Sequence, residues 1–305
     1  MTSLDLITAY IHSLELRSRK KAISKQTLHT YTQGIKTFVR TVGVQAPVTT
    51  ETYIAFLKAI NFSPSTVRTY KSAVIDYYKF CHSEHGIEID ILALAEATHR
   101  YAPKMGELLP NFDQGAIEKL IEHALTLTAS LVDLRNRAFI VTAADSGFRA
   151  FEICGLTVGS IDWKEKNVVI IGKGNKQALV RLSERSLQCI REYLDARTEL
   201  ETPYPDLSAL PLFARHDKSA STHILPVGTG GMWAAIKSVG ESAGIDIKKV
   251  WPHALRHQFV SQVLRSSGNL KLAQELARHS NIQVTQRYAH LSDQELNDGY
   301  EKIFG

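Results

Sequence analysis

The stretch Trp251-Pro252-His253-Ala254-Leu255-Arg256-His257 sets two basic side chains three residues apart, directly after a proline. Proline suits the first position of a helix, so His253 and Arg256 share one face of an opening turn. The first N–H groups of such a turn have no helical acceptor, and cations beside them make a seat for an anion, most simply a phosphate. Downstream, Ala277-Arg278-His279-Ser280 adds a histidine and Gln286-Arg287-Tyr288 a phenol. Upstream, an apolar run ends at Gly147, and Arg149 then opens a new turn with Glu152 three residues on. That layout aims a guanidinium into a cleft and fixes it with a carboxylate. Lys173, within Ile171-Gly172-Lys173-Gly174-Asn175-Lys176, rides on a hairpin tip whose Gly and Asn supply positive φ.

Taken singly, each residue has a plainer reading. Tyr288 is of a type that usually packs in cores. His253 and His257 stand at i, i+4, a spacing that also binds zinc, but the glutamate of HExxH is missing and Arg256 repels a cation, so no metal site is expected. Arg149 can cap a helix with Glu152 as its surface partner. Lys176 competes with Lys173, and His279 can sit on a helix C-terminus, where the dipole favours a cation.

The order Arg149, Lys173, His253-x-x-Arg256, His279, Tyr288 resembles the tyrosine recombinases, the phage integrase and Xer group, and among them the short two-domain, Xer-like members. The likeness covers the C-terminal two thirds in detail and the N-terminal third in helical outline. It implies DNA cleavage and rejoining through a 3′-phosphotyrosyl intermediate. In that scheme Tyr288 is the nucleophile and Arg149 and Arg256 clamp the non-bridging oxygens. His279 bonds the phosphate, His253 is the acid/base, Lys173 protonates the departing 5′ hydroxyl and Glu152 supports. No cofactor, metal or ATP is implied. The partners implied are double-stranded DNA with a specific site and a homo-tetramer on two duplexes, with a partner recombinase or accessory protein possible. A type IB topoisomerase and a DNA-binding protein without catalysis are the alternatives. Where many members carry glycine before the second histidine, this chain carries Arg278, read as an added charge and a further phosphate contact.

The elements that position these residues read as mainly α, with a small antiparallel sheet in the second of two domains. Residues 1–85 form a bundle of four helices: Leu4, Ile7, Tyr10, Ile11 and Leu14 line one apolar stripe, and Leu28, Tyr31, Ile35, Phe38 and Val39 another, opened by Ser24. Residues 50–60 make a third, and Ser63-Pro64 opens a fourth that carries Val67, Tyr70, Val74, Tyr77 and Cys81. Periodicity fades over 86–112, which reads as a linker. The domain 113–305 begins with two helices, the second apolar almost all round from Leu131 to Ala144. Strands follow at 161–163, 168–171 and 178–180, and helices return near 186–195, 230–242, 252–266, 270–278 and 284–289. Residues 202–229 read as loop with short strands at 212–213 and 224–225. Ser292 and Glu295 form a capping box for a C-terminal helix, 292–304, that either folds back on its own domain or, as the resemblance implies and as is favoured here, exchanges between protomers.

The chain has 305 residues, 44% of them hydrophobic, enough for two cores. Lys and Arg number 36 against 31 Asp and Glu, a mild excess of the sign that suits a polyanion. In the first domain Arg17, Arg19, Lys20, Lys21, Lys25, Lys36, Arg40, Arg68 and Lys71 form basic patches. Alone they read as solvated surface; beside a phosphate-handling domain they read as contacts to DNA backbone, the residues nominated being Arg19, Lys20, Lys21, Lys25, Lys36, Arg68 and Lys71. Three scattered cysteines suggest no disulfide framework. With no leader and no run near the roughly 20 apolar residues of a span, a cytoplasmic, nucleoid-associated protein is expected, with no membrane partner.

Overall fold

A computed structural model describes residues 2–101, 113–171, 177–201, 206–218, 220, 223–286, 288 and 301. The chain divides into two compact units, 1–106 and 107–305.

Unit one is helical throughout: α1 (Ser3–Arg19), α2 (Lys25–Val42), α3 (Thr50–Ala59), α4 (Pro64–His85) and α5 (Ile91–Tyr101). Each of the first four begins where a hydroxyl satisfies an N–H of the first turn, from Thr2, Ser24, Thr49 and Ser63. The apolar stripes meet in a core rich in aromatic rings, where Phe38 sits edge-on to Phe56 at 5.2 Å and Tyr10 to Tyr77 at 5.3 Å. The phenols that this burial would orphan find partners: Tyr10 donates to Asp76 at 2.7 Å, Tyr78 to the Thr49 carbonyl at 2.9 Å, and Tyr53 bonds Thr98 at 2.8 Å. Helices α2 and α4 approach closely at Gly34, whose missing Cβ would stand 2.8 Å from that of Ala73.

Thr98 belongs to α5, and Leu94 and Ala97 of the same helix are buried in this core. The span 86–112 is therefore not all linker: a fifth helix of unit one occupies 91–101. Leu94 and Ala97 are its buried positions, while Leu92 is 78% exposed.

Unit two contains α6 (Gln114–Leu125), α7 (Leu131–Ser146), α8 (Ala150–Cys154), β1 (Ile161–Asp162), β2 (Asn167–Ile171), β3 (Gln177–Arg181), α9 (Glu184–Glu201), α10 (Thr229–Ser242), α11 (Pro252–Ser267), α12 (Leu270–Ala277) and α13 (Ile282–Gln286). As its almost all-apolar pattern predicts, α7 is the central rod, buried from Asn136 to Ala144. The strands form one antiparallel sheet in the order β1-β2-β3. Register puts Val168 opposite Val180, both buried, and Val169 opposite Leu179, both 51% exposed, so the sheet covers the core with one face only. The loop after α9 contributes isolated bridges, Thr157 with Pro211 and Ala214 with Pro226, in place of the two short strands expected. No helix among the described residues is long and apolar enough to cross a membrane.

Candidate active site

The site is built where α7 and α12 end and α11 begins. Helix α7 stops at Gly147, which takes φ +58 and lies so close to Phe259 that a Cβ there would stand 2.3 Å from the ring. The chain then turns through Phe148 into Arg149, the N-cap of α8, whose N–H donates to Glu152 at 2.8 Å while its Nη1 donates to the other carboxylate oxygen at 2.7 Å. The turn read from the sequence at Gly147-Phe148-Arg149 is present, with Glu152 fully buried beneath it.

On α11, Pro252 occupies the first turn and Trp251 the cap. Arg256 is buried and donates to two main-chain carbonyls, Gly147 through Nη1 and Ala277 through Nη2. Burial, then the nearby Arg149 and Arg278, push it down to about 10. His253, one turn earlier, is exposed. Partial desolvation of its ring, then the charges of Arg256 and Arg149, hold it below the ordinary histidine value.

His279 follows α12 and bonds Thr285 of α13 through Nδ1 at 2.9 Å, and its ring stacks on that of Tyr288 with centroids 6.5 Å apart. The Tyr288 N–H donates to the Thr285 carbonyl at 3.0 Å, so α13 carries both contacts. The Tyr288 hydroxyl is hydrogen-bonded to Nδ1 of His257. Burial pushes His257 down to about 4, followed by the charges of His253 and Arg256; burial likewise takes His279 to about 4, followed by Arg256 and Arg149. Both rings are neutral at pH 7, and the tautomer of His257 sets whether its Nδ1 accepts from the phenol or donates to it.

Of the six residues nominated for chemistry, the structure gathers Arg149, His253, Arg256, His279 and Tyr288 in one place, while Lys173 lies outside the described residues, as does the expected helix 292–304. His257 was weighed in the sequence only as a metal ligand. Its position four residues after His253, on the same helical face, was the signal that it belongs here. Arg278, read from the sequence as a further phosphate contact, turns its side chain inward, 12% exposed, to Glu152 at 2.9 Å and the Gly147 carbonyl at 3.2 Å. Among the described residues no three His, Cys, Asp or Glu side chains gather as a metal site.

The basic residues nominated for DNA all lie in unit one. Arg19, Lys20, Lys21, Lys25, Lys36 and Arg68 are exposed, and Lys71 is half-buried, held below the usual lysine range by burial and then by Arg68. Arg17 is ion-paired to Asp76 at 2.7 Å.

The sequence pattern of the Phage integrase family matches residues 110–295, more than half the chain and all of this site. The chain belongs to the phage integrase family. It is similar to the tyrosine recombinase XerD of Rhizobium meliloti (strain 1021), 28% identical over 96% of this chain and 94% of the relative. It is similar also to the tyrosine recombinase XerC of Haemophilus influenzae (strain ATCC 51907 / DSM 11121 / KW20 / Rd), 28% identical over 97% and 90%. Among solved structures, XerH bound to its difH substrate in a pre-cleavage complex shares the fold, with a TM-score of 0.69 at 19% identity over 97% of this chain and 84% of that one. A lambda integrase dimer bound to a COC′ core site does so with a TM-score of 0.62 at 18% identity over 92% and 95%. The chain is accordingly a DNA strand-cleaving and rejoining enzyme of site-specific recombination, mainly helical, with DNA as its partner.

Proposed function

We propose that Tyr288 is the nucleophile of this recombinase and that Arg149, Arg256 and His279 hold the scissile phosphate. The observation that carries the reading is the Tyr288 hydroxyl, bonded to His257 in the same cluster as His279 and Arg256. A phenol with an ordinary pKa near 10 attacks poorly at neutral pH, so it requires a proton acceptor and a neutralised target. In this reading the Tyr288 oxygen forms a bond to phosphorus as the bond to the 5′ oxygen breaks, leaving a 3′-phosphotyrosyl link. His253 serves as acid/base, His257 orients the phenol, and Lys173 protonates the leaving 5′ oxygen. Arg149 and Arg256 offset the charge that builds on the non-bridging oxygens. The covalent link conserves the bond energy, and a 5′ hydroxyl of a second strand reseals it without ATP.

The same reading extends to assembly and place. Residues 1–85 with α5 grip the duplex through Arg19, Lys20, Lys21, Lys25, Lys36, Arg68 and Lys71, and residues 113–305 carry the chemistry. The enzyme works as a homo-tetramer on two duplexes, with helix 292–304 exchanged between protomers, alone or with a partner recombinase or accessory protein. It acts in the cytoplasm on nucleoid DNA. The test is Tyr288→Phe on a nicked suicide duplex carrying a site selected from a random DNA pool. The variant binds the duplex as the wild type does and yields no SDS-resistant adduct; an adduct from the Phe protein removes Tyr288 from the role.

A further inference from the structure

One buried carboxylate holds two arginines at once. Oε1 of Glu152 accepts from Nη1 of Arg149 at 2.7 Å, and Oε2 accepts from Nη2 of Arg278 at 2.9 Å and from the Arg149 N–H at 2.8 Å. The main-chain carbonyl of Arg278 in turn accepts from Nη2 of Arg149 at 3.1 Å. Arg278 reaches the second phosphate-binding arginine as well. Its Nη2 lies 3.2 Å from the Gly147 carbonyl, the acceptor that Arg256 also uses, and Arg256 bonds the carbonyl of Ala277, the residue before Arg278. The bonds close a ring through Arg149, Glu152, Arg278, Gly147, Arg256 and Ala277.

The backbone of Arg278 makes this placement unusual. It sits at φ +56 in the left-handed region, at the C-terminal cap of α12, where glycine fits without the strain that a Cβ brings. A strained residue at a site persists where its surroundings fix it, and here the side chain is fixed by Glu152, by Gly147 and by the face of Phe148, 5.8 Å away. The guanidinium points into the protein.

We propose that Arg278 is a positioning residue, which sets Arg149 through Glu152 and its own carbonyl, and Arg256 through Gly147 and Ala277, for a shared phosphate. The inference rests on the reading above that Arg149 and Arg256 hold that phosphate. Three cations face Glu152: Arg149 from the start of α8, Arg278 from the end of α12 and Arg256 from α11. Burial alone would raise its carboxyl; the bond from the Arg149 N–H and the charges of Arg278 and Arg149 outweigh burial and keep it ionised.

Arg278→Gly relieves the backbone but takes one of two charged partners from the buried Glu152, so its urea midpoint is measured beside the rate; Arg278→Asn, which also tolerates the left-handed region, serves as its check. Adduct formation is measured at saturating full-length protein on the selected nicked duplex, alone and in a Glu152→Gln background. The single change slows the reaction about 10- to 100-fold, as misplacement of clamping groups by an ångström does. Affinity and its salt slope stay as in wild type, because no phosphate contact is lost. The acid limb of the rate profile moves to higher pH, and in the Glu152→Gln background most of the extra loss disappears. A full rate in Arg278→Gly overturns the proposal. So does a weaker binding with a salt slope lower by about one, which marks a direct phosphate contact, or an undiminished loss in the Glu152→Gln background.

Failure of the wild type to form an adduct refutes the functional reading instead. The link is then decided by the carboxyl carbon resonance of Glu152, assigned by its disappearance in Glu152→Gln. Its titration midpoint rises in Arg278→Gly if the bridge exists, and an unmoved midpoint overturns it.

Discussion

Gly147→Ala tests whether the end of α7 is held as tightly as the site requires. An alanine at φ +58 costs about 1–2 kcal/mol relative to glycine. The new Cβ would meet Cδ1 of Phe259 at 2.3 Å and Cγ at 2.9 Å, so the ring or the backbone must move, and overpacking of this kind costs about 1–3 kcal/mol. The sum is roughly 2–5 kcal/mol. With a urea slope of about 2–3 kcal/mol/M for a unit of this size, the midpoint falls by roughly 0.7–2.5 M. Tryptophan fluorescence is the suitable probe, because Trp163, Trp233 and Trp251 are the chain's three tryptophans and all belong to the unit that contains Gly147. In a Phe259→Ala background the clash is gone and only the backbone cost, about 1–2 kcal/mol, remains. A Gly147→Ala midpoint within about 0.3 M of wild type, or the same loss in both backgrounds, would refute the reasoning.

Further outcomes follow from the same geometry. Lys20→Ala weakens DNA binding and lowers its salt slope by about one while leaving cleavage at saturating protein unchanged, whereas Arg256→Ala loses cleavage by orders of magnitude; equal cleavage by Arg256→Ala and wild type removes that arginine from the chemistry. His216, His257 and His279 are each pushed down to about 4 by burial, against about 6.5 when unfolded, so the unfolded chain binds more protons between these values. Stability is therefore level above pH 7 and falls as pH drops toward 5, with uptake of up to about three protons on unfolding. Urea midpoints taken across that range check this, and a flat profile contradicts it. His216→Gln, which replaces the ring bonded to Tyr193, flattens the slope by roughly a third. Deletion from Leu296 onward leaves a protein that binds a single site but does not pair two sites or recombine; normal recombination by the truncated chain argues against exchange of the tail.

Most helices were legible because burial leaves a period. The stripe Leu28, Tyr31, Ile35, Phe38 became α2, and the patternless apolar run became the buried α7. Helix α5 was not legible, since its inward residues are few and it ends close to breakers at Pro103 and Pro110. In the site, Glu152 could be read beside Arg149 from a spacing of three, a local contact that one helical turn dictates. Its second partner could not. Arg278 lies 126 residues further along the chain, and its direction depends on a left-handed residue that sequence patterns assign to glycine. The bond from His257 to Tyr288 was hidden for a similar reason: α13 must fold back over α11 before the two side chains meet.

The bonds that hold the site are also bonds that finish the fold. A helix leaves its last carbonyls without donors and gathers partial negative charge there. At the end of α7 the carbonyl of Gly147 is taken by Arg256 and Arg278; at the end of α12 those of Leu276, Ala277 and Arg278 are taken by Arg278, Arg256 and Arg149. Two helix C-termini thereby fix three guanidinium groups, and one carboxylate, Glu152, balances them only in part. Arg256 at about 10 records the remaining excess, with burial and two neighbouring cations acting against its charge. The N-terminus of α11, the positive end of its dipole, adds to the same field. In the reaction proposed above, the scissile phosphate meets cations whose desolvation was met during folding, and it supplies the negative charge that the protein itself withholds. Removing Arg256 therefore strips donors from two helix ends as well as from the phosphate, and its kinetic loss must be read beside a measured stability.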